Sequence, residues 1–298
     1  MPSTLAMTVA SPCWSRRFRW ILGTRRHTKP SQFSKSPFGP WTERPRPGFT
    51  GAMKLPFPPL ALALATLACQ AAPASPSRPA AAPPAAYTLV QIRTGPMSGK
   101  LSAEANAEAF AGHFANMERM AEARQLLVAG PYGEHRQDPN LRGIFVLASA
   151  DRAEAEAWAS TDPTTRAGVF VLDYHRLETE APLREALERS LAWVAEQEAA
   201  GRTPAPAEGA RPYVLLTAED AERAERELRP LRTPEGGVFL LGRLDGTRAF
   251  AVLDAADEAE ARERFGPELE HLGAFALDEW FASDQLARMV EPAGPAGR

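Results

Sequence analysis

Two segments far apart in the chain, GVFVLDYHRL at 168–177 and GAFALDEWFA at 273–282, carry Gly, Phe, Leu and Asp in one register. The matched pairs are Gly168/Gly273, Phe170/Phe275, Leu172/Leu277 and Asp173/Asp278. Each segment closes the same succession of patterns, so an internal repeat constrains this fold more than any other feature. In the first copy the alternating run YTLVQIRT (87–94) reads as a strand, broken by Gly95-Pro96. A helix is expected over 103–124 with Ser102 as N-cap, followed by strands at 125–130 and 142–149. A second helix over 150–160 opens on a Ser cap and stops at TDP, before the closing strand at 168–178. The second copy runs through strand RPYVLLT, helix AEDAERAERELRPL capped by Thr217, strands GVFLLG and TRAFAVLD, helix AADEAEARERF and a final strand. Its loop between the middle strands is six residues shorter.

The order β-α-β-β-α-β predicts an α+β fold of two tandem ferredoxin-like units, each with two helices on one face of an antiparallel sheet. Such a sheet leaves its other apolar face open to water. Two units in one chain can bury those faces against each other, so an intrachain pseudo-dimer of the dimeric α+β-barrel type is expected. The units are placed at 87–179 and 211–286. Between them, 180–210 supplies a helix with apolar Leu183, Leu187, Leu191 and Val194, then a Pro-rich linker. Residues 287–298 read as a disordered tail.

The N-terminal part has a different character. Residues 1–52 hold nine Lys and Arg against one acid, Glu43, without helical or strand period, and read as a disordered extension or a mis-assigned start. A second start at Met53 opens MKLPFPPLALALATLACQ, with Lys54 as n-region and an apolar run at 60–67, the layout of a signal peptide over 53–68. That run is shorter than the roughly 20 residues needed to cross a bilayer. ATLAC resembles a bacterial lipobox, with Thr66 where leucine is commoner. The resemblance implies a lipid on Cys69, an anchor in the bacterial cell envelope facing the periplasm, and a Pro/Ala tether over 69–86. Cys13 is the other cysteine, so the folded part has no disulfide and no thiolate nucleophile. With the basic extension set apart the body is acidic, which argues against a nucleic-acid partner.

GHFANMERM (112–120) puts His113 beside the apolar stripe Phe110, Phe114, Met117 and Ala121 of the first helix. Spacing alone leaves two readings open: a structural histidine satisfied by a nearby acid or carbonyl, or an acid–base group. Asp162 follows a helix end and precedes Pro163, which favours extended backbone and can aim the carboxylate back toward a pocket. A carboxylate on one ring nitrogen fixes the tautomer and stabilises the imidazolium, leaving the other nitrogen for general acid–base work. GPYGE (130–134) is a turn in which Gly130 would admit a ligand close to the backbone and Tyr132 would line a pocket. No Lys or Ser/Thr follows with phosphate-loop spacing, and His113, His135 and His175 lack the spacing of metal ligands.

The segments HFANMERM, LLVAGPYGE, GIFVLASADRAEAEAWASTDP and AGVFVLDYHRLE together resemble the YciI-like (YCII-related) family of dimeric α+β-barrel proteins. The resemblance implies a pocket between sheet and helices, lined by a histidine and an aspartate that here are His113 and Asp162, with Phe114 beside them. It also implies lyase or isomerase chemistry, since an enzyme eliminating chloride from a chlorinated aromatic diol is among the related proteins. Opposite His113 the second copy carries Glu225, and Asp162 falls near Glu268, so the second unit is expected to lack the pair. Chlorite-dismutase-like haem proteins also pair two such units, but an iron-binding histidine is missing where Glu225 stands. The expectation is a monomer with an internal pseudo-dimer, open to further homodimerisation, that moves a proton on a small molecule without metal or cofactor. A non-catalytic binding or protein-interaction lipoprotein is the alternative.

Overall fold

A computed structural model describes residues 85–202 and 208–290. The expected extension, signal peptide, Cys69 lipidation and most of the tether lie outside the described residues. Among the described residues no helix is long and apolar enough to cross a membrane.

The first half runs β1 (Ala85–Thr94), α1 (Ala103–Glu122), β2 (Leu126–Pro131), β3 (Leu141–Leu147), α2 (Arg152–Ala159), α3 (Pro163–Arg166) and β4 (Phe170–Thr179). Helix α4 (Leu183–Ala199) leads on to β5 (Ala210–Ala218), α5 (Ala221–Leu228), β6 (Val238–Leu244), β7 (Arg248–Leu253), α6 (Glu258–Leu269) and β8 (Phe275–Ser283). A 3-10 helix, Asp284–Val290, ends the described chain.

All eight strands form one antiparallel sheet in the order β2-β3-β1-β4-β6-β7-β5-β8. The halves join where β4 pairs with β6, Leu177 opposite Leu244 and Thr179 opposite Gly242. The far edges also meet, because Tyr132 bridges to Trp280 and Gly133 N–H donates to Glu279 O at 2.7 Å. The sheet therefore curls into a near-closed barrel, which removes the exposed edges an open sheet would carry.

Strand alternation sorts the core. In the second half Val214, Leu216, Ala249, Ala251 and Leu253 pack with Ala224 of α5 and Phe265 of α6. Their neighbours Tyr213, Leu215, Phe250, Val252 and Trp280 turn the other way and join Leu89 and Leu177 of the first half in a shared core. The face that a single helix-covered sheet would expose is buried between the two halves.

Glycines permit this geometry at the two seams. A Cβ on Gly242 would stand 2.7 Å from Glu178 O, and one on Gly130 would stand 2.7 Å from Trp280 Nε1 and closer still to Phe281 O. Both positions need a residue without a side chain for the strands to cross.

The structure corrects several sequence expectations in detail. The α2 cap is Asp151, which accepts from Ala153 N–H, and Ser149 instead donates to Glu154 Oε2 at 2.6 Å. The α5 cap is Asp220 and not Thr217, which lies within β5. Each Asp carboxylate reaches the N–H two or three residues on from an extended backbone, whereas Thr217 and Ser149 sit too far upstream. Strand β1 begins at Ala85, paired to Thr179, inside the expected tether. The C-terminal 3-10 helix buries Leu286 and Met289, so ordered packing continues past 286.

Candidate functional site

Helix α1 is capped by Ser102 and presents His113, Met117, Met120 and Ala121 inward. The His113 ring lies parallel to Phe145 of β3 at 5.9 Å and meets Phe170 of β4 edge-on at 5.7 Å. Phe114 and Phe110 of its own helix complete the enclosure at 5.3 and 6.2 Å. Only 4% of His113 is exposed.

Asp162 reaches the ring from the other side. It is the N-cap of the single-turn helix α3, with Pro163 in the first helical position. Asp162 Oδ1 accepts from Thr164 N–H at 2.8 Å and from Thr164 Oγ1 at 2.6 Å. Its other oxygen, Oδ2, faces His113 Nδ1 at 2.5 Å. The Thr164 proton is thus used, and the carboxylate acts only as acceptor, so His113 Nδ1 carries the hydrogen in this pair. Burial raises the Asp162 carboxyl. The hydrogen bond and charge of His113, with the Thr164 bonds, more than offset it and hold the group below the usual range.

Two residues unnoticed in the sequence make the pair possible. Thr164, fully buried, fixes the carboxylate's rotation. Gly112 lets α1 approach α3, because a Cβ there would stand 2.7 Å from Pro163 Cγ. The signal for Gly112 was present, since a glycine inside a helix costs about 1 kcal/mol relative to alanine and needs a reason. A further tie comes from Arg119, whose Nη2 donates to Asn116 Oδ1 at 2.8 Å and to Thr161 Oγ1 at 3.1 Å. We expect Gly112→Ala to forgo its intrinsic helix gain and to lengthen the His113–Asp162 bond. The downfield Nδ1 proton resonance of a short bond should then move upfield. An unchanged resonance with a gain near that helix increment would refute this role.

The remaining expected site residues are not all brought together. Phe114 lies against His113, whereas Gly130 and Tyr132 stand at the β2–β8 seam. Tyr132 Oη accepts from Gln91 Nε2 at 3.4 Å, and burial pushes the phenol up to about 12, partly offset by Gln91. At neutral pH it is a neutral phenol and not a base. A cavity of about 410 Å³ opens between α1, β2 and α4, and a polar cleft of about 100 Å³ lies at the β4–β6 seam, but His113 and Asp162 line neither.

In the second half Glu225 of α5 is engaged by Arg243, with Nη2–Oε2 at 2.7 Å, and no histidine stands on that helix. His175 on β4 pairs instead with Asp245 in the β6–β7 turn, Nδ1–Oδ2 at 2.8 Å, at a partly exposed position. Among the described residues no cluster of three or more His, Cys, Asp or Glu side chains could hold a metal ion.

Fold and site thus define an α+β protein with a near-closed antiparallel barrel and a buried His–Asp pair beneath one helix. Residues 89–177, the span from β1 to β4 that contains the pair, match the family model of the YCII-related domain. No curated protein and no solved structure matches the chain.

Proposed function

We propose that the chain is a YciI-like protein in which His113 and Asp162 transfer a proton on a small molecule, in the manner of a lyase, isomerase or hydrolase. The observation that carries this reading is the 2.5 Å contact between His113 Nδ1 and Asp162 Oδ2, with the second carboxylate oxygen tied to Thr164. With Nδ1–H held by the carboxylate, Nε2 is the nitrogen that takes or gives a proton, and Asp162 stabilises the imidazolium formed. The phenylalanines around the ring favour an apolar or aromatic substrate. The two halves are read as tandem ferredoxin-like copies, the second having kept the architecture and lost the pair. The Cys69 lipid and the envelope location belong to the same proposal and rest on the signal-like sequence alone.

A second reading, a non-catalytic binding or interaction protein, is favoured by one specific observation. The His113 ring is enclosed by four phenylalanines and lines neither of the two cavities described above. Proton transfer separates the readings. Incubating the protein in D2O with a panel of small carbon acids, chlorinated diols included, should exchange a carbon-bound hydrogen, read by mass spectrometry. His113→Gln should slow that exchange by about 10²-fold or more. Exchange that His113→Gln leaves untouched, or none with the native protein, favours the binding reading.

A further inference from the structure

The cavity of about 410 Å³ lies on the outer side of the barrel, where α4 and the C-terminal 3-10 helix cross over the β2–β8 seam. Its walls come from separate elements: Leu127 and Ala129 of β2, Leu187, Leu191 and Trp193 of α4, and Leu286 of the 3-10 helix. Small side chains leave the space, among them Ala121 on α1 and Ala186 and Ala195 on α4. The cavity is of ligand size, and its mainly apolar wall gains by exchanging water for an apolar occupant.

The polar groups in its wall narrow the occupant. Ser190 Oγ donates to Ala186 O at 2.9 Å, so the proton between Ser190 Oγ and Ser283 Oγ, 2.9 Å apart, comes from Ser283. Gln285 N–H donates to Ser283 Oγ at 3.3 Å. Both hydroxyl protons are used, and each oxygen keeps one lone pair that can only accept. The charged residues around the cavity are Glu118, Glu122, Glu198 and Asp284, with Arg124 held by Glu188 at 2.9 and 3.0 Å. A carboxylate ligand would meet acceptors and negative charge at once.

We propose that this cavity binds an uncharged, mainly aliphatic or aromatic molecule carrying one hydroxyl or N–H group, which donates to the Ser190–Ser283 pair. The site is separate from His113 and does not depend on the catalytic reading. N-phenyl-1-naphthylamine, a neutral dye with one N–H, should bind the full-length protein saturably at one site and accept excitation energy from Trp193. Decanol should displace the dye, and decanoate should do so about tenfold less well or worse. Leu191→Trp, and Ala195→Trp at an exposed position where folding is not at risk, should each weaken dye binding about tenfold or more. Dye binding undiminished in both variants would overturn the site. Decanoate competing as well as decanol would overturn the ligand class.

Discussion

Replacing Asp162 by alanine is expected to lower folding stability by about 3–5 kcal/mol in urea denaturation, the usual effect of removing one partner of a buried charged pair. Two losses coincide. His113 Nδ1–H loses its close acceptor inside a phenylalanine enclosure, with only Thr164 Oγ1 at 3.4 Å beside it, and Thr164 loses both of its bonds to Oδ1, the N–H bond being the cap of α3. A double-mutant cycle with His113→Ala should return a coupling of about 1 kcal/mol or more. Independent, additive effects would show that the two side chains do not act together.

The same pair gives stability a defined pH dependence. Asp162 titrates lower in the folded protein than its unfolded value of about 3.9, so its contribution is complete above roughly pH 4. It is then lost as the pH falls through the lower folded value. The stability difference between the native protein and Asp162→Asn should therefore shrink on acidification below pH 4. A difference that grows there would mean that the sign is wrong.

Gly130→Val should have the other large effect, a loss of about 3 kcal/mol at the upper end of overpacking costs. The new side chain would press on Phe281 O and on Trp280, at the place where β2 meets β8. Because the seam at β4–β6 is a separate ladder, the damage should be local. Hydrogen exchange should show the Gly133 and Glu279 amides losing protection while amides around Leu177 and Leu244 keep theirs. Full protection at Gly133 and Glu279 would remove the seam role assigned to Gly130.

Part of this architecture could be read from the sequence because the two Gly-Phe-Leu-Asp segments report backbone constraints. Gly168 and Gly273, matched in register, both adopt positive φ, +69° and +77°, just before their closing strands. The shared Leu172/Leu277 and the alternation around them fix which face is buried. His113 and Asp162 were likewise legible as a pair from resemblance. The enclosure around them was not, since Phe145 and Phe170 come from strands whose pairing places them there only in three dimensions.

The β2–β8 seam was hidden for a different reason. Residues 132–140 show no alternation, yet Glu279 N–H donates to His135 O at 3.0 Å and Gln137 N–H to Asp278 Oδ1 at 2.7 Å. Backbone groups of a loop that bond in this way leave no trace in the loop's own side-chain pattern. The cavity beneath α4 was invisible too, because alanines that leave a void and alanines that fill a helix interface look the same in sequence.

The two seams also differ from one another. One is a three-pair ladder beside a tight turn at Asp245–Gly246, and the other is an isolated bridge extended by a long loop. Two identical subunits related by symmetry would have to place every seam change at both joints. Within one chain each joint is free to diverge alone, and docking of the halves is unimolecular, so the fold should withstand dilution that would separate a dimer.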